Sequence, residues 1–158
     1  MQQVSTWGTA DLRLLVSINE LSLSAFERHV QHHEADPESG GILLGCVRGP
    51  HLEVLEASTP TKWDRRFRYF FERLPFGHQL LADEKWTKSS GTVRYLGEWH
   101  THPEDDPSPS SLDRSEWQKQ AARRKDGRST LSIIVGRHSL HVELVASDGA
   151  SIKLLRVE

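Results

Sequence analysis

The residues best suited to chemistry lie in Gly97-Glu98-Trp99-His100-Thr101-His102-Pro103, followed by Ser110 and Asp113. On an extended strand, side chains two apart project from one face, so His100 and His102 point the same way, close enough to share one metal ion. Two ligands do not complete a site. Seven residues separate His102 from Ser110, and Asp113 comes three after Ser110, so the acidic loop between them lets the chain fold back. That sets Asp113 on the first turn of the following helix as a third ligand. An N, N, O set leaves one position of a tetrahedral zinc open to water, the arrangement of a catalytic rather than a structural site, and water held there loses a proton near pH ~7.

The surrounding pattern predicts the elements that must position these groups. Leu12–Ile18 is an apolar run suited to a buried strand, and Ser22 offers an N-cap for a helix with Leu23, Phe26 and Val30 at helical spacing, ending near His33. Ile42–Val47, a Gly49-Pro50 turn and Leu52–Ala57 read as a hairpin. Phe67, Tyr69 and Phe71 alternate with Arg66, Arg68 and Phe70 as a third strand, and Phe76–Ser89, closed by Gly91, reads as a second helix. Val93–His100 then places Val93, Tyr95, Gly97 and Trp99 on one face of a strand and Arg94, Leu96, Glu98 and His100 on the other, which His102 continues. Three prolines and three acids bar regular structure from Pro103–Pro109, and Ser110 caps a helix running to about Arg124. Leu131–Val135, Leu140–Val145 and Ile152–Val157 complete the set. The class is α/β (α+β): a mixed β-sheet flanked by helices, with the strand order left open.

Composition narrows the function. The 158 residues suit one domain, 1–158, and no repeat or linker divides them. A single cysteine, Cys46, excludes an internal disulfide and a cysteine zinc cluster, so a metal site must use histidine and carboxylate. A net charge of -2 argues against a strongly basic nucleic-acid binder. No apolar stretch approaches the ~18 residues of a membrane span, and Met1 to Ala10 lacks the order of a signal peptide, so a soluble cytoplasmic protein is expected. Nine histidines are many for this length.

Together these residues resemble the JAMM, or MPN-plus (JAB-domain), metalloprotease motif: a Glu, then His-x-His-Pro, seven residues, Ser, two more, and Asp. Every position is filled here. The family places its distant Glu just before a Gly-rich strand start, the form of Glu38-Ser39-Gly40-Gly41-Ile42-Leu43-Leu44-Gly45. The resemblance implies a cytidine-deaminase-like fold in which His100, His102 and Asp113 bind one zinc ion. It further implies that Glu38 takes a proton from the metal's water and returns it to the leaving amine, while Ser110 donates to the oxyanion. The implied activity is that of an isopeptidase removing a ubiquitin-like modifier, or a protein joined through its own C-terminus, from a target amine. Gly77-His78-Gln79 through Trp86, with Gly91, is similar to short bacterial deconjugases of antiphage defence operons, which cleave a cyclic-nucleotide synthase from its targets. Enzymes of ubiquitin-like modification or sulfur-carrier processing operons share the motif. The implied partner is a modifier or conjugated protein offering an extended C-terminal tail, taken up as an added strand, with no nucleic acid or membrane. A non-catalytic MPN scaffold, which usually lacks motif residues, and a small-amide hydrolase with the same centre are the other readings.

Several residues admit plainer roles. Glu98 shares the histidine face and competes as base or supporting partner. Ser108 and Ser111 compete with Ser110, and any of the three could merely cap the helix; Asp113 also suits the helix dipole. His29, His32 and His33 have metal-binding spacing on the first helix but read as a solvated face, and His51, His78, His138 and His141 carry no supporting neighbours. Cys46 reads as a small buried hydrophobe. Arg123-Arg124-Lys125 with Arg128 reads as a helix C-terminus meeting solvent, and Trp63 and Trp86, candidate substrate contacts, read more simply as core.

Overall fold

In the computed structural model, which describes residues 4–33, 35–61, 64–67, 70–72 and 75–157, the apolar runs become strands of one strongly curled sheet. The elements in chain order are β1 (Val4–Gly8), β2 (Leu15–Asn19), α1 (Glu20–Arg28), β3 (Gly40–Arg48), β4 (His51–Ala57), β5 (Arg65–Phe67), β6 (Phe70–Glu72), α2 (Pro75–Lys88), β7 (Arg94–Thr101), α3 (Ser111–Arg123), β8 (Thr130–Val135), β9 (Leu140–Val145) and β10 (Ser151–Val157). The sheet runs β1-β10-β9-β8-β7-β3-β4-β2 and closes into a barrel through β1 and β2, while β5 and β6 form a separate ribbon. Only β2–β4 and β7–β8 among these pairs are parallel, so the sheet is mixed, as expected. Closure matters because it leaves the eight barrel strands without a free edge.

The core fills the barrel: Val16, Ile18, Leu43, Val54, Leu131, Ile133, Val142 and Leu154 are all fully buried. Each such side chain stabilises the fold by roughly 1.5–3 kcal/mol relative to exposure. Helix α1 packs on β4 and β2 and sets Phe26 against Trp99, with ring centroids 5.0 Å apart. Helix α3 lies on the outer face of the sheet, where Trp117 and Ala121 meet Ile134 and Val145. No helix among the described residues is long and apolar enough to cross a membrane.

Local departures from the expected elements have identifiable causes. The cap of α1 is Asn19, whose side chain accepts from the Ser22 amide at 3.0 Å; Ser22 sits one turn inside. The helix stops at Arg28 rather than near His33. Asp36, restrained by the proline that follows it, reverses the chain by accepting from the His33 amide at 2.9 Å while donating its own amide to the His33 carbonyl. The expected third strand is instead the β5–β6 ribbon, with Phe67 paired to Phe70; Arg68 and Tyr69 lie outside the described residues. Helix α2 ends as predicted, Gly91 taking φ +82° and donating its amide to the Trp86 carbonyl. β1 had no counterpart in the sequence pattern.

A β-bulge in β7 corrects its expected faces. Leu43 pairs with Gly97 but Leu44 with Tyr95, so Leu96 is the extra residue. Leu96 thereby joins Trp99 in the core, and Tyr95 turns to the other face, where its hydroxyl donates to Glu98. Beyond the bulge the alternation holds, and His100 and His102 share a face.

Candidate metal centre

Strand β7 delivers the two histidines. His100 is locked between Gly40 of β3 and Ile134 of β8 in the ladders, and the His102 amide donates to the Val135 carbonyl, carrying the strand path one residue further. Their Nε2 atoms lie 3.1 Å apart. The chain then turns through 103–109, where the Glu104 and Asp105 carbonyls accept from the amides of Arg137, His138 and Ser139, so the acidic loop is tied to the β8–β9 turn.

That anchored loop returns the chain to α3. Ser110 is its N-cap: the hydroxyl accepts from the Asp113 amide at 3.1 Å while the Ser110 amide donates to Asp113 Oδ2 at 2.9 Å, a complete capping box. The same carboxylate faces the imidazoles, Oδ1 at 3.3 Å from His100 Nε2 and Oδ2 at 3.1 Å from His102 Nε2. Cap and cluster partner are therefore one side chain. Trp117 backs the group, its ring 6.3 Å from that of His100.

Glu38 completes the cluster from across β3. It precedes Ser39, whose amide donates to Thr101 Oγ1 and whose carbonyl accepts from the Thr101 amide, pinning the start of β3 beside the histidines. Glu38 is 2% exposed, and its carboxylate lies with the ring nitrogens of His100 and His102 in a group whose donor atoms are all within 4.8 Å of one another. Burial pushes its pKa up to about 8, Asp113 reinforcing and His102 opposing. Burial also acts to raise Asp113, but hydrogen bonds from both imidazoles outweigh it and hold this carboxyl well below the usual carboxylate range. For His102, burial favours the neutral ring, yet hydrogen bonds to Asp113 and Glu104 raise its pKa on balance.

Ligands bound 2.0–2.1 Å from a tetrahedral ion sit about 3.3 Å from each other. The nitrogen and oxygen separations of 3.1 to 3.3 Å here match that edge, and the donors are two imidazoles and a carboxylate kept anionic. The set fits a small divalent ion.

The remaining sequence candidates divide clearly. Glu98 is committed elsewhere, accepting from Tyr95 and from Gln120 of α3. All three serines are exposed, and of them Ser110 takes the cap. His29 lies past the end of α1, half-buried, with its ring edge on Trp99, whereas His32 and His33 are exposed. Cys46 is half-buried rather than buried. Arg124 does not face solvent: it stacks on Tyr95 and donates to the Leu96, Ser129 and Tyr95 carbonyls. Trp86 is 49% exposed, with Arg94 over its ring, and is not core; Trp63 lies outside the described residues.

The unsupported histidines gain partners through the fold. His51 Nδ1 accepts from the Leu15 amide, His138 approaches Asp105 at 4.0 Å, and His78 is buried between Ser58 and Asp64. His141 bonds Glu143 at 2.9 Å, and the other oxygen of Glu143 holds Arg114 at 3.0 Å. That pair was findable, since residues two apart on a strand share a face.

Comparison with known proteins finds relatives of nearly the whole chain. Residues 22–148 match the family of prokaryotic homologues of the JAB domain. A Pseudomonas aeruginosa protein named CD-NTase/cGAS isopeptidase is 53% identical over 94% of each chain. A Vibrio cholerae protein of the same name is 45% identical over 68% of this chain and 67% of its own. The solution structure of a Desulfitobacterium hafniense protein covers 92% of this chain and 90% of its own, with a TM-score of 0.59 at 18% identity, a likeness of fold. With most of its length matched by the family and nearly all of it by a close relative, the chain belongs to the prokaryotic JAB-domain family.

Proposed function

We propose that residues 1–158 form one zinc-dependent isopeptidase unit that hydrolyses the amide joining the C-terminus of a conjugated protein to a target amine. The observation that carries this reading is the convergence of His100 Nε2, His102 Nε2 and both Asp113 oxygens at 3.1 to 3.3 Å beside the buried Glu38. The name of the relatives, CD-NTase/cGAS isopeptidase, supports reading the conjugated protein as a CD-NTase and the activity as one of antiphage defence.

In this reading His100, His102 and Asp113 hold the ion. When bound, zinc polarises the scissile carbonyl and brings a water's pKa down to about 7. Glu38 acts as the proton carrier: its carboxylate lies beside the ring nitrogens of His100 and His102, and its burial keeps the proton from bulk water. It takes the proton at a carboxylate oxygen and passes it to the departing amine nitrogen. In this reading Ser110 stabilises the developing oxyanion. Its oxygen already accepts from the Asp113 amide, so the hydroxyl hydrogen is available to donate. The substrate tail enters extended; with no free edge on the barrel strands, it does not join that sheet as an added strand.

The test is cleavage of a CD-NTase conjugated through its C-terminus, followed by mass spectrometry with metal analysis. The wild type should release the synthase with a free C-terminal carboxylate and bind one zinc ion. Glu38→Gln should bind zinc but not cleave, and His100→Ala with His102→Ala should do neither. A wild type that binds no zinc and cleaves neither this conjugate nor a ubiquitin-like one would overturn the reading.

A further inference from the structure

Away from the metal, the structure holds a second chain of polar side chains in the order serine, histidine, aspartate. Ser58 Oγ and His78 Nδ1 are 2.6 Å apart, and His78 Nε2 is 2.6 Å from Asp64 Oδ2, which also accepts from the Thr61 amide. The side chains of His78 and Asp64 are wholly buried and Ser58 is 5% exposed. The order is that of a nucleophilic hydrolase, but no substrate carbonyl reaches a hydroxyl so enclosed. Moreover, Ser58 Oγ already accepts from the Ile42 amide at 2.8 Å.

The position of Ser58 shows what it does. β4 ends at Ala57, and Ser58 extends its ladder by one step, donating its amide to the Ile42 carbonyl while its hydroxyl, instead of a carbonyl, accepts from the Ile42 amide. The carbonyl freed by this exchange accepts from Trp99 Nε1 at 2.9 Å. Ser58 thus ties β4, β3 and β7 together beside His100. It occupies the space of an absent side chain at Gly41, where a Cβ would lie 2.2 Å from the Ser58 carbonyl oxygen. Gly40 and Gly41, which carry no Cβ to restrain the backbone, connect this tie through Ser39 to Glu38.

We propose that His78 is a positioning residue for the reaction site: with Asp64 it fixes the Ser58 hydroxyl, and Ser58 fixes the glycine pair that carries Glu38. With Ser58 Oγ accepting from Ile42, its own proton goes to His78 Nδ1, and the Nε2–H of that tautomer donates to Asp64. The inference rests on the isopeptidase reading for its kinetic consequence but not for its structural one.

The experiment compares His78→Ala, Ser58→Ala and Asp64→Asn with the wild type. His78→Ala and Ser58→Ala should lower kcat by about 10–100-fold, the cost of a small misplacement from outside the chemistry. KM and the single bound zinc should be unchanged, and the Ile42 amide should exchange with solvent roughly tenfold faster. Asp64→Asn, which can hold His78 in either tautomer, should fall between His78→Ala and the wild type in kcat and exchange. The inference is overturned if kcat and Ile42 exchange are unaltered in the alanine variants, or if kcat falls only together with zinc. Should His78→Ala not fold, Ser58→Ala carries the same comparison. If the wild type cleaves nothing, the isopeptidase reading fails, while Ile42 exchange still decides whether His78 holds Ser58.

Discussion

Glu104 Oε1 lies 2.8 Å from His102 Nδ1, across the ring from the Nε2 that faces Asp113. Such a carboxylate fixes both the tautomer and the orientation of a ligating imidazole and raises its basicity, and partners of this kind contribute about 10–100-fold to metal affinity. Glu104 is half open to solvent, so its charge is screened and its value is mainly orientational. Glu104→Ala should therefore weaken zinc about tenfold in a chelator competition, and Glu104→Gln, which keeps an accepting oxygen, should lose less. Equal losses would point to charge rather than orientation.

The buried Glu38 makes the metal-free protein sensitive to pH in a direction opposite to most carboxylates. Its folded pKa is about 8 against an ordinary 4.5, with burial the main cause. Folding therefore favours the protonated form; this contribution is complete below about pH 4.5 and is lost as pH rises through 8. Glu38→Gln cannot ionise. In chelator it should match the wild type in denaturant titrations below about pH 4.5 and exceed it at pH 9 by on the order of 3–5 kcal/mol. A bound cation beside the carboxylate draws its pKa down, so zinc should shrink the difference.

The residues of the cluster show what the sequence could and could not disclose. His100 and His102 were legible because the period of a strand is local, and Asp113 because a serine three residues before an acid marks a helix start. Glu38 has no such local signal: it reaches the histidines through the β3–β7 pairing of Gly40 with His100, and only the resemblance to a known family singled it out. Ser58 and His78 meet through the docking of α2, which no periodicity encodes. The bulge at Leu96 likewise depends on its partner strand, and so reversed the expected faces of Tyr95 and Leu96. The barrel also depends on the parallel β2–β4 pairing, a contact between strands separated by α1 and β3. In each case the missing information was tertiary.

Ser110 joins two roles that substitution can separate. As N-cap it satisfies the Asp113 amide, and through the capping box it helps aim the carboxylate at the imidazoles. As oxyanion donor it would contribute about 10²–10³ to kcat. Alanine removes both, costing about 1 kcal/mol of stability as well as the donor, whereas glycine caps nearly as well as serine and also lacks a hydroxyl. Ser110→Gly should accordingly melt within a degree or so of the wild type, retain zinc, and still lose about 10²–10³ in kcat. If glycine instead restores turnover along with stability, the hydroxyl acts on the helix alone and the oxyanion must be met by another donor.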